Sequence, residues 1–144
     1  MSKINILLVL VFLAVSCSSD QNNYPSEIEY GISNSTKIRP PKWLQGTWRI
    51  NTNSSPSGLT PGFIVMPDQL CFVSISVECF QDMIDYSYKV NPEAVKIEQE
   101  YNLDYYRLTI NIATEITTFS FTLKDNFKAL YTNGSVKGTL FKEH

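Results

Sequence analysis

The chain has 144 residues, 43% of them hydrophobic, with 12 Lys and Arg against 14 Asp and Glu and a formal net charge of −2. This composition fits one soluble domain. Because the charges are scattered singly, no basic cluster is available to release counterions, and the sequence gives no support to nucleic acid as a partner.

The amino terminus carries Lys3 before an apolar stretch over residues 4–15, which is too short to span a bilayer comfortably. The stretch ends in Ala-Val-Ser-Cys, closing at Cys17, and this ending resembles the lipidation site of bacterial lipoproteins. The resemblance implies that residues 1–16 are removed as a lipoprotein signal peptide. It also implies that Cys17 carries acyl chains of the palmitate type, two or more of which give durable membrane anchoring.

Two other outcomes stay open at this end of the chain, namely ordinary secretory cleavage near Ser19 and an uncleaved anchor. The lipoprotein resemblance implies a lipid-anchored protein of the cell envelope. Ser18 directly after the cysteine, rather than Asp, resembles the sorting signal for the outer membrane. We therefore expect the membrane to be a partner through the lipid, with the outer membrane as the location.

The next region, residues 17–42, is predicted to be the lipidated cysteine and a flexible tether. It is rich in Ser, Asn and Pro, and its apolar residues lack regular spacing. The pair Pro40-Pro41 stiffens its end. A short edge strand is the alternative for four of its residues: Tyr24, Ile28, Tyr30 and Ile32.

Residues 43–144 show apolar residues at every second position, and turn dipeptides such as Asn133-Gly134 separate the runs. The predicted strands cover residues 44–51, 62–66, 69–76, 85–90, 94–101, 104–113, 116–124, 127–132 and 135–142. No segment is predicted to be helical. Eight or nine amphipathic strands bury their apolar faces by closing on themselves, which also removes exposed edges. We therefore predict an all-β fold, a small antiparallel up-and-down barrel.

The first predicted strand opens with Gly46-Thr47-Trp48. This tripeptide at the head of a β meander resembles the Gly-x-Trp motif of the lipocalin and fatty-acid-binding-protein group. With its cysteine, tether and terminal hairpin, the chain resembles the small lipocalin-like lipoproteins of the Bacteroidetes. The resemblance implies a lipocalin-like barrel with the Trp48 indole across its closed end. The domain is smaller than a full lipocalin, and only Lys137 or Lys142 stands where the group has an arginine packed on the indole.

Little in the sequence supports catalysis. His144 is the only histidine and ends the chain, so histidine-dependent acid–base chemistry and zinc or copper sites lack side chains. Glu98 and Glu100 alternate onto the wet face of a predicted strand, where they are most simply solvated. Asp82 and Asp85, predicted to lie in a loop, supply too few oxygens for calcium. We expect no enzymatic activity, no catalytic residue, no metal and no cofactor.

Cys71 and Cys79 remain as a pair once Cys17 is acylated, and an oxidising envelope favours a disulfide between them. In one straight strand the sulfurs would lie about 26 Å apart, at about 3.3 Å per residue. The bond therefore requires a bend near Ser76, and closing the short loop would then stabilise the fold by about 2.5 kcal/mol. Two buried, inert thiols are the alternative.

Seven aromatic residues on predicted inner faces are the candidate ligand-binding residues: Trp48, Tyr86, Tyr88, Tyr101, Tyr106, Phe119 and Phe121. An eight-stranded barrel is just wide enough either to be filled by its own side chains or to hold one small ligand. Tyrosine hydroxyls favour a cavity because they need partners, whereas large rings fill space efficiently. Residues 51–62 form either a lid or a plain surface loop.

Two functions follow from these alternatives. A hollow barrel predicts a lipid-anchored envelope protein that binds a small apolar or amphipathic ligand. A filled barrel predicts a protein-interaction module, acting as an inhibitor, an immunity factor or a subunit of an envelope complex.

Overall fold

Ten antiparallel strands form one sheet in the computed structural model, which describes residues 33–50 and 60–143. The strands are β1 (Ser33–Asn34), β2 (Gly46–Ile50), β3 (Gly62–Met66), β4 (Gln69–Val73), β5 (Val77–Cys79), β6 (Val95–Tyr101), β7 (Tyr105–Ile112), β8 (Glu115–Asp125), β9 (Lys128–Asn133) and β10 (Val136–Lys142). One helix, α1 (Phe80–Val90), and a short 3₁₀ turn (Pro92–Ala94) separate β5 from β6.

The order of strands across the sheet is β1-β6-β7-β8-β9-β10-β2-β3-β4-β5. The meander curls back on itself because the last strand, β10, pairs antiparallel with β2, with Lys142 opposite Trp48. The result is a curled half-barrel whose apolar faces point inward. The prediction of an all-β antiparallel up-and-down barrel is confirmed.

Helix α1 corrects two predictions, the strand over residues 85–90 and the absence of helices. Tyr86, Tyr88 and Val90 alternate as in a strand, yet all three are exposed. The buried residues of this segment are Gln81 and Ile84, and their spacing of three is that of one helical face. Both buried residues lie before residue 85, outside the predicted strand. The alternation over 85–90 therefore did not mark a buried face.

Helix α1 lies at the open side of the curled sheet, between the two ends of the strand order, which is called the seam below. The two ends of the strand order are β1 and β5, and α1 contacts both β4 and β6. Ile84 is fully buried in the core. Because β4 and β6 lie next to the two ends of the strand order, α1 bridges the two sides of the opening. The helix thus takes the place of a strand at the seam of the barrel.

Residues 35–40, called the strap below, run along the same seam. Ile38 in the middle of the strap is fully buried and belongs to the hydrophobic core. The prediction of a flexible tether through residue 42 is therefore wrong for the strap, because burial of Ile38 fixes it to the barrel. Residues 17–32 of the predicted tether, with the alternative edge strand, lie outside the described residues.

Polar contacts with α1 hold the strap. The Gln81 amide accepts a hydrogen bond from the Ile38 N–H at 2.8 Å and donates one to the Thr36 carbonyl at 3.0 Å. The Lys37 ammonium lies 2.9 Å from the Asp85 carboxylate. Hydrogen bonds from Lys37 and then from Gln81 lower the pKa of Asp85. The contribution of this contact to stability is therefore present above the usual aspartate pKa and is lost as the pH falls through the lowered value.

A disulfide joins Cys71 on β4 to Cys79 on β5, which is the first of the two outcomes that the sequence left open. The two cysteines face each other in the antiparallel register, with Cα atoms 4.0 Å apart. The required bend lies at residues 74–76, where the Ser74 N–H donates to the Ser76 carbonyl at 2.9 Å. The bond ties the short strand β5 to the sheet immediately before α1 begins.

Candidate functional site

The Gly46-Thr47-Trp48 segment opens strand β2 and brings the Trp48 indole into the core. The Trp48 indole is fully buried, and its Nε1–H donates to the Leu44 carbonyl at 2.6 Å. Gly46 has a φ of 124°, a conformation that favours glycine. A Cβ at Gly46 would also lie 2.9 Å from Cε of Lys142. Glycine at this position therefore allows the Lys142 side chain to approach the indole.

Lys142 occupies the place for which the lipocalin resemblance implies an arginine. Its Nζ lies 5.2 Å from the centre of the Trp48 ring, in cation–π geometry, and donates to the Trp43 carbonyl at 3.2 Å. Of the two cations that the sequence analysis considered, Lys142 is the one in contact with the indole. Lys142 lies opposite Trp48 in the β10–β2 register. Because paired residues on one face lie close together, Lys142 rather than Lys137 reaches the indole.

Four of the seven predicted ligand-binding residues come together inside the barrel, and there they form packed core. Trp48, Tyr106, Phe119 and Phe121 are each at most 1% exposed. Phe63 of β3 lies among these rings, with its centroid 5.9 Å from that of Phe119 and 5.2 Å from that of Phe121, both edge-on. Such ring contacts are favourable and fill space. The interior around these residues is therefore filled rather than hollow.

The Tyr106 hydroxyl has a partner within this core, contrary to the expectation that buried tyrosines favour a cavity. It donates to Oε1 of Gln99 at 2.9 Å, and Gln99 on β6 is itself buried. The same Gln99 accepts from the Arg39 N–H at 2.7 Å and donates to the Lys37 carbonyl at 2.8 Å. Burial raises the pKa of Tyr106, so this hydroxyl stays protonated as a donor.

Tyr86 and Tyr88 do not line the barrel, and their prediction as inner-face residues is wrong. Both lie on α1 rather than on a strand, with exposed fractions of 71% and 42%. Tyr101 near the end of β6 is only partly buried and packs against the edge of the core. The predicted set of aromatic residues is therefore split between the core, its edge and the surface.

A half-enclosed cleft of about 400 Å³, called the α1 cleft below, lies between the helix and the end of the barrel where β7 turns into β8. Its volume falls within the range of small-molecule sites, about 300–1,000 Å³. Its lining comes from β5, α1, β7 and β8: Glu78, Phe80, Met83, Ser87, Ile110, Ile112, Glu115 and Thr117. A second cleft of about 300 Å³ adjoins it, shares Ser87 and Ile112, and includes Tyr86 and Val90.

The α1 cleft was not predicted from the sequence, because no helix was expected over residues 80–90. Phe80, Met83 and Ser87 lie at spacings of three and four, so one face of α1 presents all of them to the barrel. Phe80 also contacts the core, with its ring centroid 4.8 Å from that of Phe119. This helical spacing is the signal that the sequence carried for the site, and it competes with the strand-like alternation of Tyr86, Tyr88 and Val90.

Other candidate residues have structural roles. Glu98 and Glu100 form exposed ion pairs with Lys96 and Arg107, at 2.6 and 2.8 Å. Asp82 and Asp85 lie on α1 rather than in a loop, and Asp82 accepts from the Gln69 amide at 3.1 Å. Among the residues that the structure describes, no three metal-ligating side chains cluster.

Over the same residues, no helix is long and apolar enough to cross a membrane. Further predictions lie outside the described residues and stay predictions: the signal peptide over residues 1–16, the lipidated Cys17, most of the loop predicted over residues 51–62, and the terminal His144.

Comparisons with protein-family models, curated proteins and solved structures find no match. The resemblance to lipocalin-like lipoproteins therefore rests on the residues of this chain alone. Its most specific element is the Gly46-Thr47-Trp48 segment at the head of the meander.

Proposed function

We propose that this protein is a lipid-anchored barrel of the cell envelope that binds a small apolar or amphipathic ligand in the α1 cleft, and that it is not an enzyme. The observation that carries the proposal is the half-enclosed volume of about 400 Å³, with Phe80, Met83, Ile110 and Ile112 among its lining. Concave sites that combine apolar walls with a few polar groups are typical of small-molecule binding.

The position of the proposed site differs from that expected for a hollow barrel. The interior is occupied by Trp48, Phe63, Tyr106 and Phe121, all 1% exposed or less. A ligand would have to displace these rings to enter, at the cost of core packing. The α1 cleft needs no such displacement, because it is already open beside the helix.

The proposed anchor is tested at Cys17. We expect the protein from its own membranes to partition into the detergent phase, and the Cys17→Ser variant to partition into the aqueous phase, because acyl chains supply the membrane affinity. Mass spectrometry of the amino-terminal peptide should show the acyl chains in the first protein only. Detergent partitioning that survives Cys17→Ser would contradict lipid anchoring.

The proposed ligand site is tested by filling it. In Ser87→Trp, the indole occupies the α1 cleft, whereas Lys89→Trp places the same side chain at an exposed position of the helix that does not line the cleft. Native mass spectrometry of protein purified from its own membranes should show a bound small molecule in the natural chain and in Lys89→Trp. We expect that molecule to be absent from Ser87→Trp.

Circular dichroism provides the control for this experiment, because both variants should keep the spectrum and the cooperative unfolding of the natural chain. A ligand retained in Ser87→Trp would contradict binding in the α1 cleft. A natural chain that carries no small molecule would contradict the ligand-binding proposal as a whole.

A protein-interaction module is the second candidate, and the filled interior together with exposed apolar residues on α1 favours it. Tyr86 is 71% exposed and Val90 is 70% exposed, next to the second cleft. Exposed apolar residues that lie together are typical of partner surfaces. Under this alternative the protein purified from its membranes carries a bound envelope protein and no small molecule.

A further inference from the structure

Two carboxylates stand among the apolar residues of the α1 cleft. Glu78 comes from β5 and Glu115 from the start of β8, so different elements bring them to one cavity. Within the described part of the chain, neither carboxylate accepts a hydrogen bond or forms an ion pair. Each is therefore free to pair with a bound group.

The α1 cleft presents no opposite charge to these two residues. Its described lining contains two charged side chains, and both are glutamates. The lining of the adjoining cleft is uncharged. Lys89 is a cation on the same helix, but it acts on Asp85, whose pKa it helps to lower, on the side of α1 that holds the strap. The cleft therefore combines apolar walls with negative charge.

The remaining lining residues complete an amphipathic site. Phe80 and Ile110 join the cleft to the core, since Phe80 packs on Phe119 and Ile110 is 2% exposed. The hydroxyls of Ser87 and Thr117 add hydrogen-bonding groups. The apolar chain of a ligand would pack on Phe80 and Ile110. The polar end of that ligand would then meet the cleft's hydroxyl and carboxylate groups, which accept hydrogen bonds.

We infer that the ligand of the α1 cleft is an amphipathic organic cation, with its apolar chain against Phe80, Met83 and Ile112 and its ammonium group between Glu78 and Glu115. This inference rests on the proposed ligand-binding function and specifies the chemical class of the ligand. A carboxylate or sulfate head group is disfavoured, because it would meet two like charges beside a low-dielectric wall.

The test compares three probes that share one chain length and differ in head group: n-decylammonium, n-decyl glucoside and decanoate. Each is titrated calorimetrically, below its micelle concentration, into the mature chain carrying Cys17→Ser, so that no acyl chain of the protein binds the probe. We expect the ammonium to bind most tightly and decanoate least tightly. A double variant, Glu78→Gln with Glu115→Gln, should weaken ammonium binding about four- to twenty-five-fold, at about two- to fivefold for each exposed pair.

The matched control is Asp68→Asn with Asp104→Asn, which removes the same charge at two exposed residues that do not line the cleft. We expect this control to leave the ammonium affinity within about twofold, because screened charges at a distance contribute little. Binding of the glucoside should also stay within about twofold in both double variants, since it carries no charge to pair.

Decanoate binding as tightly as the ammonium would overturn the inference, as would a glutamate double variant that binds the ammonium like its parent. If either of these results is found while the glucoside binds and Ser87→Trp blocks it, the ligand-binding proposal stands and only the choice of a cation fails. If none of the three probes binds, the inference and the ligand-binding function fail together.

Discussion

Replacing Trp48 with alanine is expected to lower the free energy of unfolding by about 3–5 kcal/mol, the range for a large buried aromatic side chain. Trp48 is fully buried, and its indole N–H donates to the Leu44 carbonyl, so the variant loses packing and also leaves a buried acceptor without its donor. The Lys142 ammonium loses the ring beneath it as well. For a domain of this size the loss is a large part of total stability.

The measurement is chemical unfolding followed by far-ultraviolet circular dichroism. Trp43→Ala is the matched control, because Trp43 is the second tryptophan of the chain, is only partly buried, and its Nε1–H finds no hydrogen-bond partner among the residues that the structure describes. We expect the control to be destabilised clearly less than Trp48→Ala. Equal effects in the two variants would contradict a special contribution of the buried, hydrogen-bonded Trp48 to the core.

Gln99→Met is expected to lower the free energy of unfolding by about 2–4 kcal/mol, since a buried polar group left without its partner costs about 1–3 kcal/mol. Methionine keeps the length of the side chain but removes hydrogen bonds to Arg39, Lys37 and Tyr106. Two of these bonds hold the strap, so its attachment to β6 should weaken. The Gln81 amide of α1 still holds Ile38 from the other side.

Hydrogen exchange separates this effect from a general loss of stability. The Arg39 amide should lose protection in Gln99→Met more than the Ile38 amide does. Lys96→Met on the same strand is the control, because its side chain is exposed and its ion pair with Glu98 contributes about 0–1 kcal/mol. A neutral Gln99→Met variant, or equal exchange at both amides, would contradict the role of Gln99 in holding the strap.

Much of the sheet could be predicted from the sequence because strand signals are local. Residues that alternate in polarity, such as those of Tyr105–Ile112, can bury one face only as a strand. The Cys71–Cys79 bond was one of two outcomes that the sequence left open, and the bend that brings the cysteines into register decides it.

The candidate site could not be predicted in this way. Tyr86 and Tyr88 satisfy the alternation of a strand and the surface of a helix equally well, so local pattern alone does not decide between them. The deciding contacts come from far along the chain, because Ile84 packs into the core and Gln81 binds the strap at Ile38. The α1 cleft is lined in part by this helix. Because a strand was predicted in place of the helix, the cleft could not be predicted.

The sequence by itself determined the inward and outward faces of strands such as β6, β7 and β8, and the place of the Gly46-Thr47-Trp48 motif. Only the tertiary structure decided that rings fill the interior, that Lys142 packs on Trp48 and that a helix covers the seam. The physical reason is the separation along the chain of the residues that interact. Polarity patterns and short loops act between neighbours, whereas the filling of a core depends on side chains that folding brings together from distant parts of the chain.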